Sequence, residues 1–147
     1  MTIALSMKGK TMNDLQVKRL TSSAILPTRG SDGAAGLDLY ADEMTDAYMV
    51  SVSTGIAVAI PHGSVGLVWP RSGLGWNRGV QVLGGVSDSD YRGEVRVMLT
   101  GTAPLRINPG DRIAQLLIQP VSMCGVKEVS ELPDTTRGVD GFGSTGV

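Results

Sequence analysis

Residues 64–100 read SVGLVWPRSGLGWNRGVQVLGGVSDSDYRGEVRVMLT, and this stretch decides the fold class. It holds three apolar runs of strand length, at 64–69, 80–83 and 94–100, and each run is followed directly by Pro or Gly. Short runs that are rich in β-branched residues and bounded by turn-forming residues are typical of β-strands. The stretch therefore predicts β structure rather than long helices.

The same pattern of short apolar runs bounded by turn residues continues on both sides of this stretch. Further runs of strand length lie at 16–20, 48–52, 55–60, 112–119 and 121–129. Because turn residues recur about every 8–12 positions and no long segment repeats with the 3.6-residue period of a helix, the pattern predicts an all-β sandwich or barrel. One short helix is expected at 72–77, with Ser72 as its N-cap and Gly79 as its end.

Composition restricts the class of protein further. The chain has 147 residues, of which 41% are hydrophobic, so it can bury one domain-sized core. Its 13 basic and 14 acidic residues leave a formal net charge of −1, which argues against direct binding of nucleic acid through a basic surface.

No apolar run approaches the roughly 20 residues of a membrane span, and no signal-peptide pattern is visible, so we expect a cytoplasmic protein with no membrane partner. A single Cys124 and a single His62 exclude a disulfide framework and clusters of these metal ligands.

The two ends of the chain differ from its centre. Residues 1–14 show no clear periodicity and are expected to form a disordered leader before a single β domain at 15–136. Residues 137–147 are rich in glycine and are expected to form a flexible C-terminal tail. The only phenylalanine of the chain, Phe142, lies between two glycines in that tail, and an apolar ring there is useful only if the tail docks onto something.

Three polar segments that contain glycine could carry chemistry. The first, PRSGLG at 70–75, offers a guanidinium, a hydroxyl and glycine amides, which together suit an anionic oxygen. A segment of this kind is, however, more often only a turn followed by a capped helix. The tail offers Arg137, Ser144 and Thr145 as a cover for phosphate, but it lacks the Gly-Lys-Ser/Thr sequence of a P-loop.

The segment DSDYRG at 88–93 is the most informative of the three. Its carboxylates, Asp88 and Asp90, precede Tyr91 in a turn between two apolar runs. A carboxylate can act as a general base on water and an aromatic ring can pack on a sugar, but Asp-rich turns are usually only turns. On these residues alone, the sequence predicts no more than an anion-binding β protein.

Five ordered segments together resemble the trimeric dUTPases, the deoxyuridine triphosphate nucleotidohydrolases, and the resemblance spans roughly residues 15–147. The segments are AGLDL at 35–39, PRSGL at 70–74, GVSDSDYRGE at 85–94, GDRIAQL at 110–116 and RGVDGFGSTG at 137–146. Two positions depart from the family pattern. Ser87 stands where the family usually has an apolar residue, and Asp140 stands where it usually has glycine.

The resemblance implies a distorted jelly-roll β-barrel that assembles as a homotrimer, with active sites at the subunit junctions. It further implies hydrolysis of dUTP to dUMP and pyrophosphate, which would keep uracil out of DNA and supply dUMP for dTMP synthesis. By this likeness, Asp88 is the catalytic base that directs water at the α-phosphorus. Mg²⁺ would be held mainly by the triphosphate, and Asp38 would order the hydrated metal.

The resemblance also assigns the contacts to the substrate. Arg71, Ser72 and Gln115 would hold phosphate oxygens, the backbone around Gly85 would read the uracil edge, and Tyr91 would pack on the deoxyribose. The tail would close as a lid, with Phe142 stacked over uracil. The full set of implied substrate-binding residues is Arg71, Ser72, Gly73, Gly85, Tyr91, Gln115, Arg137, Phe142, Gly143, Ser144 and Thr145.

Two other functions remain open at this point. A dCTP deaminase, or a bifunctional deaminase and dUTPase, shares the same barrel, although the five segments and the tail with Phe142 are closer to the hydrolase. A regulatory jelly roll that binds a protein partner and uses the nucleotide as a switch belongs to a different class. Ammonia release from dCTP would identify the deaminase, and loss of Asp88 or Arg71 would have favoured the regulatory module.

Overall fold

The computed structural model describes residues 14–141, which form eight strands and one short helix. In chain order these elements are β1 (Gln16–Arg19), β2 (Leu37–Tyr40), β3 (Thr45–Ala59), β4 (Ser64–Trp69), α1 (Ser72–Arg78), β5 (Gln81–Leu83), β6 (Val86–Ser87), β7 (Glu94–Ile107) and β8 (Arg112–Pro120). The expected leader at 1–14 lies outside the described residues except for Asp14.

The strands form two antiparallel sheets of four strands each. The first sheet has the order β1-β3-β7-β5, and the second has the order β2-β8-β4-β6. Because consecutive strands repeatedly belong to different sheets, the chain crosses between the sheets many times. The two long strands β3 and β7 pair over most of their lengths and form the centre of the first sheet. This architecture confirms the predicted all-β barrel of the jelly-roll type.

Alternating side chains of these strands build one core between the two sheets. On β7, Val95, Val97 and Leu99 are buried, whereas the residues between them face outward, as the two-residue period of a strand requires. Leu39 of β2 and Leu116 of β8 enter the same core from the second sheet. The core thus fixes the edges of both sheets, from which the functional segments extend.

Most of the predicted strands are confirmed, with three differences. The runs at 48–52 and 55–60 belong to one continuous strand, β3, because Thr54 between them is buried and its hydroxyl donates a hydrogen bond to the carbonyl of Val95. The strands β2 and β6 were not predicted. They are only 4 and 2 residues long, too short to form a recognisable run. The strand expected at 121–129 was wrong, since this segment leaves the barrel after β8 and its side chains are exposed.

The predicted helix is present and ends at Gly79, which adopts the left-handed conformation. The expected cap was wrong: Arg71 occupies the N-cap position in extended conformation, and no side chain makes a capping hydrogen bond. Within residues 14–141, no helix has the length and apolar character that a membrane span requires.

Candidate active site

A cluster of charged and polar side chains lies where β2, β8 and the end of β4 meet. Asp38 of β2 pairs in register with Gln115 of β8, and Gln115 in turn pairs with Trp69 at the end of β4. The Asp38 carboxylate binds the guanidinium of Arg71, with 3.0 Å between Oδ1 and Nε, and the guanidinium of Arg112, with 3.3 Å between Oδ2 and Nη1. The Gln115 amide nitrogen donates to the carbonyl of Pro70 at 3.0 Å. These contacts fix the segment that leads into α1.

This cationic cluster can bind an anionic oxygen. One carboxylate with 14% of its side chain exposed faces two guanidinium groups, so the cluster carries a net positive charge. Asp38 engages only Nε of Arg71, and the two terminal nitrogens of Arg71 pair with no group in the described part of the chain. Guanidinium groups of this kind are well suited to phosphate because they offer paired donors in a planar fork. Ser72 and Gly73 are exposed directly after Arg71.

A second group of predicted residues lines a cavity of about 300 Å³ at the opposite side of β4. Gly85, Asp88 and Tyr91 all line it, together with the apolar side chains of Val68 and Met98. Asp88 follows β6 directly, and its carbonyl accepts a hydrogen bond from the Tyr91 amide at 3.2 Å, which closes the turn. The cavity therefore combines an exposed carboxylate with an aromatic ring.

Two glycines give the cavity its shape. The amide of Val68 donates to the carbonyl of Gly85 at 2.7 Å, and a Cβ atom at Gly85 would lie 2.2 Å from the Val68 carbonyl oxygen, so only glycine permits this approach. At Gly93, a Cβ atom would lie 2.5 Å from Cζ of Tyr91. The Tyr91 ring therefore lies across the backbone of Gly93, where no other residue would leave room for it.

Glu94 and Arg96, the first and third residues of β7, form a polar network at the rim of the same cavity. Glu94 Oε1 accepts hydrogen bonds from the Ser53 hydroxyl and from the Gly55 amide at 2.9 Å, and Glu94 Oε2 pairs with Arg96 Nη1 at 3.1 Å. Burial of the Glu94 carboxyl raises its pKa, but the hydrogen bonds from Ser53, Gly55 and Arg96 outweigh burial and hold the pKa below its ordinary value. Glu94 is therefore ionised at neutral pH.

The predicted site residues thus fall into two separate groups. Asp38, Arg71 and Gln115 meet in the cationic cluster, with Ser72 and Gly73 beside it, and within the described chain none of these five lines the cavity that holds Gly85, Asp88 and Tyr91. Arg137 is exposed in the C-terminal segment, where its Nε donates to the carbonyl of Asp140 at 2.8 Å. The predictions for Phe142, Gly143, Ser144 and Thr145 lie outside the described residues.

Sequence reasoning missed three residues that the structure places beside these groups. Arg112 shares the Asp38 carboxylate with Arg71. Because this contact joins residues far apart in the chain, no local sequence pattern predicts it. For Glu94 and Arg96, the sequence did contain a pattern that could have identified them. In the run EVRV at 94–97 the polar residues are two positions apart and must share one face of the strand, which is the face opposite the core.

The protein is thus a β-barrel that carries a cationic cluster and, apart from it, a cavity lined by a carboxylate and an aromatic ring. Residues 22–146 match the family model described as dUTPase. The chain is 48% identical to the deoxyuridine 5'-triphosphate nucleotidohydrolase of Paramecium bursaria Chlorella virus 1 over 141 residues, which covers 92% of this chain and 100% of the relative.

Solved structures agree with this match. A mutant dUTPase of Staphylococcus bacteriophage 80alpha, solved with dUpNHpp, is similar with a TM-score of 0.85 and 30% identity, over 92% of this chain and 99% of that one. A mutant dUTPase from phage phi11 of S. aureus, with a structural Mg(II) ion, is similar with a TM-score of 0.77 and 27% identity, over 81% of this chain and 98% of that one. The chain belongs to the dUTPase family.

The lowered pKa of Glu94 predicts how the stability of the protein depends on pH. A carboxyl whose pKa is lower in the folded state stabilises that state above the unfolded pKa, near 4.5, and loses this effect as the pH falls through the folded pKa. We expect Glu94→Gln to lower the melting temperature at pH 7 by about 2–4 °C, the shift that about 1 kcal/mol causes in a chain of this size. The difference from the unmodified protein should shrink below pH 4.5, as melting curves between pH 7 and pH 3 would reveal.

The matched control is Asp46→Asn. Asp46 and Arg106 form an exposed ion pair between the same two strands, at 3.4 Å, and exposed pairs contribute little. A melting-temperature difference for Glu94→Gln that stays constant down to pH 3 would contradict the assignment of a lowered pKa.

Proposed function

We propose that this chain is a dUTP diphosphatase, which hydrolyses dUTP to dUMP and pyrophosphate as a homotrimer. The observation that carries the proposal is the single cavity that Gly85, Asp88 and Tyr91 line together. In the reaction, Asp88 accepts a proton from water while the water oxygen forms a bond to the α-phosphorus. The bond between the α-phosphorus and the oxygen that bridges to the β-phosphate breaks, and pyrophosphate leaves.

The geometry of its loop supports this role for Asp88. It is exposed at the cavity and follows a strand whose neighbour, Gly85, is hydrogen-bonded to β4, so the carboxylate is presented from a fixed backbone. A carboxylate is a weak base, but catalysis of phosphoryl transfer depends chiefly on positioning and on stabilisation of charge. The contribution of Asp88 therefore depends on its position relative to the attacking water.

The cavity would take the nucleoside half of dUTP. Backbone groups around Gly85 would pair with the uracil edge, and a mismatched base would leave such groups unpaired, at a cost of about 1–3 kcal/mol each. The Tyr91 ring would pack on the deoxyribose and leave no space for a 2′-hydroxyl. The apolar side chains of Val68 and Met98 complete a surface that suits a flat base and a sugar.

The cationic cluster would take the triphosphate half. Arg71, Ser72, Gly73 and Gln115 would hold phosphate oxygens, with Asp38 and Arg112 keeping the Arg71 guanidinium in place. The resemblance implies that the cluster of one protomer faces the cavity of another in the trimer, and the separation of the two on one chain supports this arrangement. The tail of the third protomer, with Arg137, Phe142, Gly143, Ser144 and Thr145, would close over the nucleotide.

Magnesium fits this arrangement as a companion of the substrate. Residues 14–141 contain no group of three or more His, Cys, Asp or Glu side chains that could hold a metal ion, and both oxygens of Asp38 are paired with guanidinium groups. Mg²⁺ commonly keeps several waters and binds substrate phosphates with few carboxylates. The triphosphate would therefore supply most of its ligands, and Asp38 would act on it through water. When bound, the ion would neutralise charge on the phosphates.

The product points to a place in nucleotide metabolism. Removal of dUTP keeps uracil out of DNA, and dUMP is the substrate for methylation to dTMP. Because dUTP and dUMP are free nucleotides, the expected partner is a small molecule. We expect the reaction to take place in the cytoplasm, or in the host cytoplasm if the protein is viral.

The test of this function is pyrophosphate release from dUTP, dTTP, dCTP and UTP by the unmodified protein and by Asp88→Asn. We expect release chiefly from dUTP, and we expect Asp88→Asn to lower kcat by about 10²–10⁴-fold because the general base is lost. Binding of a non-hydrolysable dUTP analogue, measured by calorimetry, should change little.

Asp90→Asn is the matched control, since Asp90 lies in the same turn two residues away and is also exposed. It should keep kcat within a fewfold of the unmodified value. Equal losses for the two variants would remove Asp88 from the role of base, and ammonia release from dCTP would identify a deaminase instead.

Deletion of residues 137–147 tests the role of the tail. The described part of this segment is exposed and bonds locally, through Arg137 to Asp140 and through Gly138 to Thr135, so its loss should leave the melting temperature almost unchanged. Catalysis should fall by at least about tenfold, because the lid that excludes water and holds the phosphates is gone. Normal kinetics in the truncated protein would show that the tail plays no part in the reaction.

A further inference from the structure

An irregularity in the pairing of β3 with β7 lies beside the cavity. Ser53 pairs with Arg96 and Ala57 pairs with Glu94, so the three residues of β3 between these pairs face the single residue Val95 of β7. The extra residues of this bulge include Gly55, whose φ of 64° lies in the left-handed region. A bulge of this kind interrupts the ladder of backbone hydrogen bonds. The regular backbone pairing of β7 with β3 is therefore interrupted between Glu94 and Arg96, at the start of the strand that follows the Asp88 loop.

The side chain of Glu94 bridges this interruption. Its Oε1 accepts the Gly55 amide at 2.9 Å and the Ser53 hydroxyl, both from the bulge. Its Oε2 pairs with Arg96, which reaches on to Glu43 Oε1 at 2.8 Å. The carboxylate thus ties the start of β7 to the bulge of β3, together with the hydrogen bond from the Thr54 hydroxyl to the Val95 carbonyl.

The backbone of Glu94 holds the substrate-facing tyrosine. The Tyr91 hydroxyl donates to the carbonyl of Glu94 at 3.1 Å, and the Tyr91 ring lies across Gly93. The position of the ring therefore follows the position of the Glu94 backbone, which the Glu94 side chain fixes. Tyr91, Glu94 and Arg96 all line the cavity.

We infer that Glu94 is a positioning residue that holds Tyr91 against the sugar of the substrate and thereby sets the discrimination between dUTP and UTP. This inference rests on the proposed function. Glu94 makes no contact with the substrate in this role. It acts through the tyrosine, whose distance from C2′ decides whether a hydroxyl group fits.

Glu94→Gln is the direct test, because glutamine has the same size but only one acceptor oxygen. If that oxygen faces Arg96, the amide NH₂ faces the Ser53 hydroxyl and the Gly55 amide, and if it faces these donors, the NH₂ faces the guanidinium. Either orientation loosens the link. We expect the ratio of kcat/KM for dUTP to kcat/KM for UTP to fall by about tenfold. A purely structural role would lower both values together and leave the ratio unchanged.

Two further variants keep the test decisive. Asp46→Asn removes an exposed ion pair between the same strands and should leave the ratio unchanged. Ser53→Ala removes one donor to the Glu94 carboxylate and should also lower the ratio, but by a smaller factor than Glu94→Gln. It serves as the test if Glu94→Gln does not fold. An unchanged ratio in folded Glu94→Gln, or in Ser53→Ala where Glu94→Gln is unfolded, would overturn the inference. Absence of dUTP hydrolysis by the unmodified protein would overturn the proposed function itself.

Discussion

The loop that carries Asp88 is tied at its two ends to two different sheets, and the arrangement of the cavity depends on this constraint. On the entering side, the Val68 amide of β4 binds the carbonyl of Gly85 at 2.7 Å. On the leaving side, Glu94 binds the bulge of β3 through its carboxylate. Since the sheets are held together by one apolar core, the distance between the two anchors is set by the barrel. The carboxylate and the tyrosine are therefore presented from a rigid frame.

A single carboxylate plays the corresponding part in the cationic cluster. Asp38 pairs with Arg71 and with Arg112, and it lies opposite Gln115 on the neighbouring strand. Without it, two guanidinium groups would face each other with no counter-charge, and the Arg71 side chain would lose its fixed direction. The cluster and the cavity are two halves that one chain holds apart. Assembly of copies is the simplest way in which both halves can serve one nucleotide.

The sequence allowed the fold class to be predicted because the alternation of buried and exposed residues is a local property. Val95, Val97 and Leu99 alternate with polar or exposed neighbours, and strand β7 follows from that alone. The strand at 121–129 was predicted wrongly because an apolar run indicates a strand only where a partner strand is within reach. The contacts of Asp38 could not be predicted from the residues, since the segment after β4 brings Arg71 to it and the start of β8 brings Arg112. The resemblance connects Asp38 with a hydrated metal, which stays a prediction, and the structure adds that its carboxylate pairs with two arginines.

In the proposed trimer, each active site combines the cluster of one protomer with the cavity of another. Mixing two inactive variants, Arg71→Ala and Asp88→Asn, tests it directly when the subunits are denatured and refolded together. If the site is shared, the mixture should regain about one quarter of the unmodified dUTP hydrolysis, because about that fraction of sites pairs an intact cluster with an intact cavity. If each protomer carries a complete site, every site in the mixture keeps one defect, and a mixture as inactive as its parents would contradict the account.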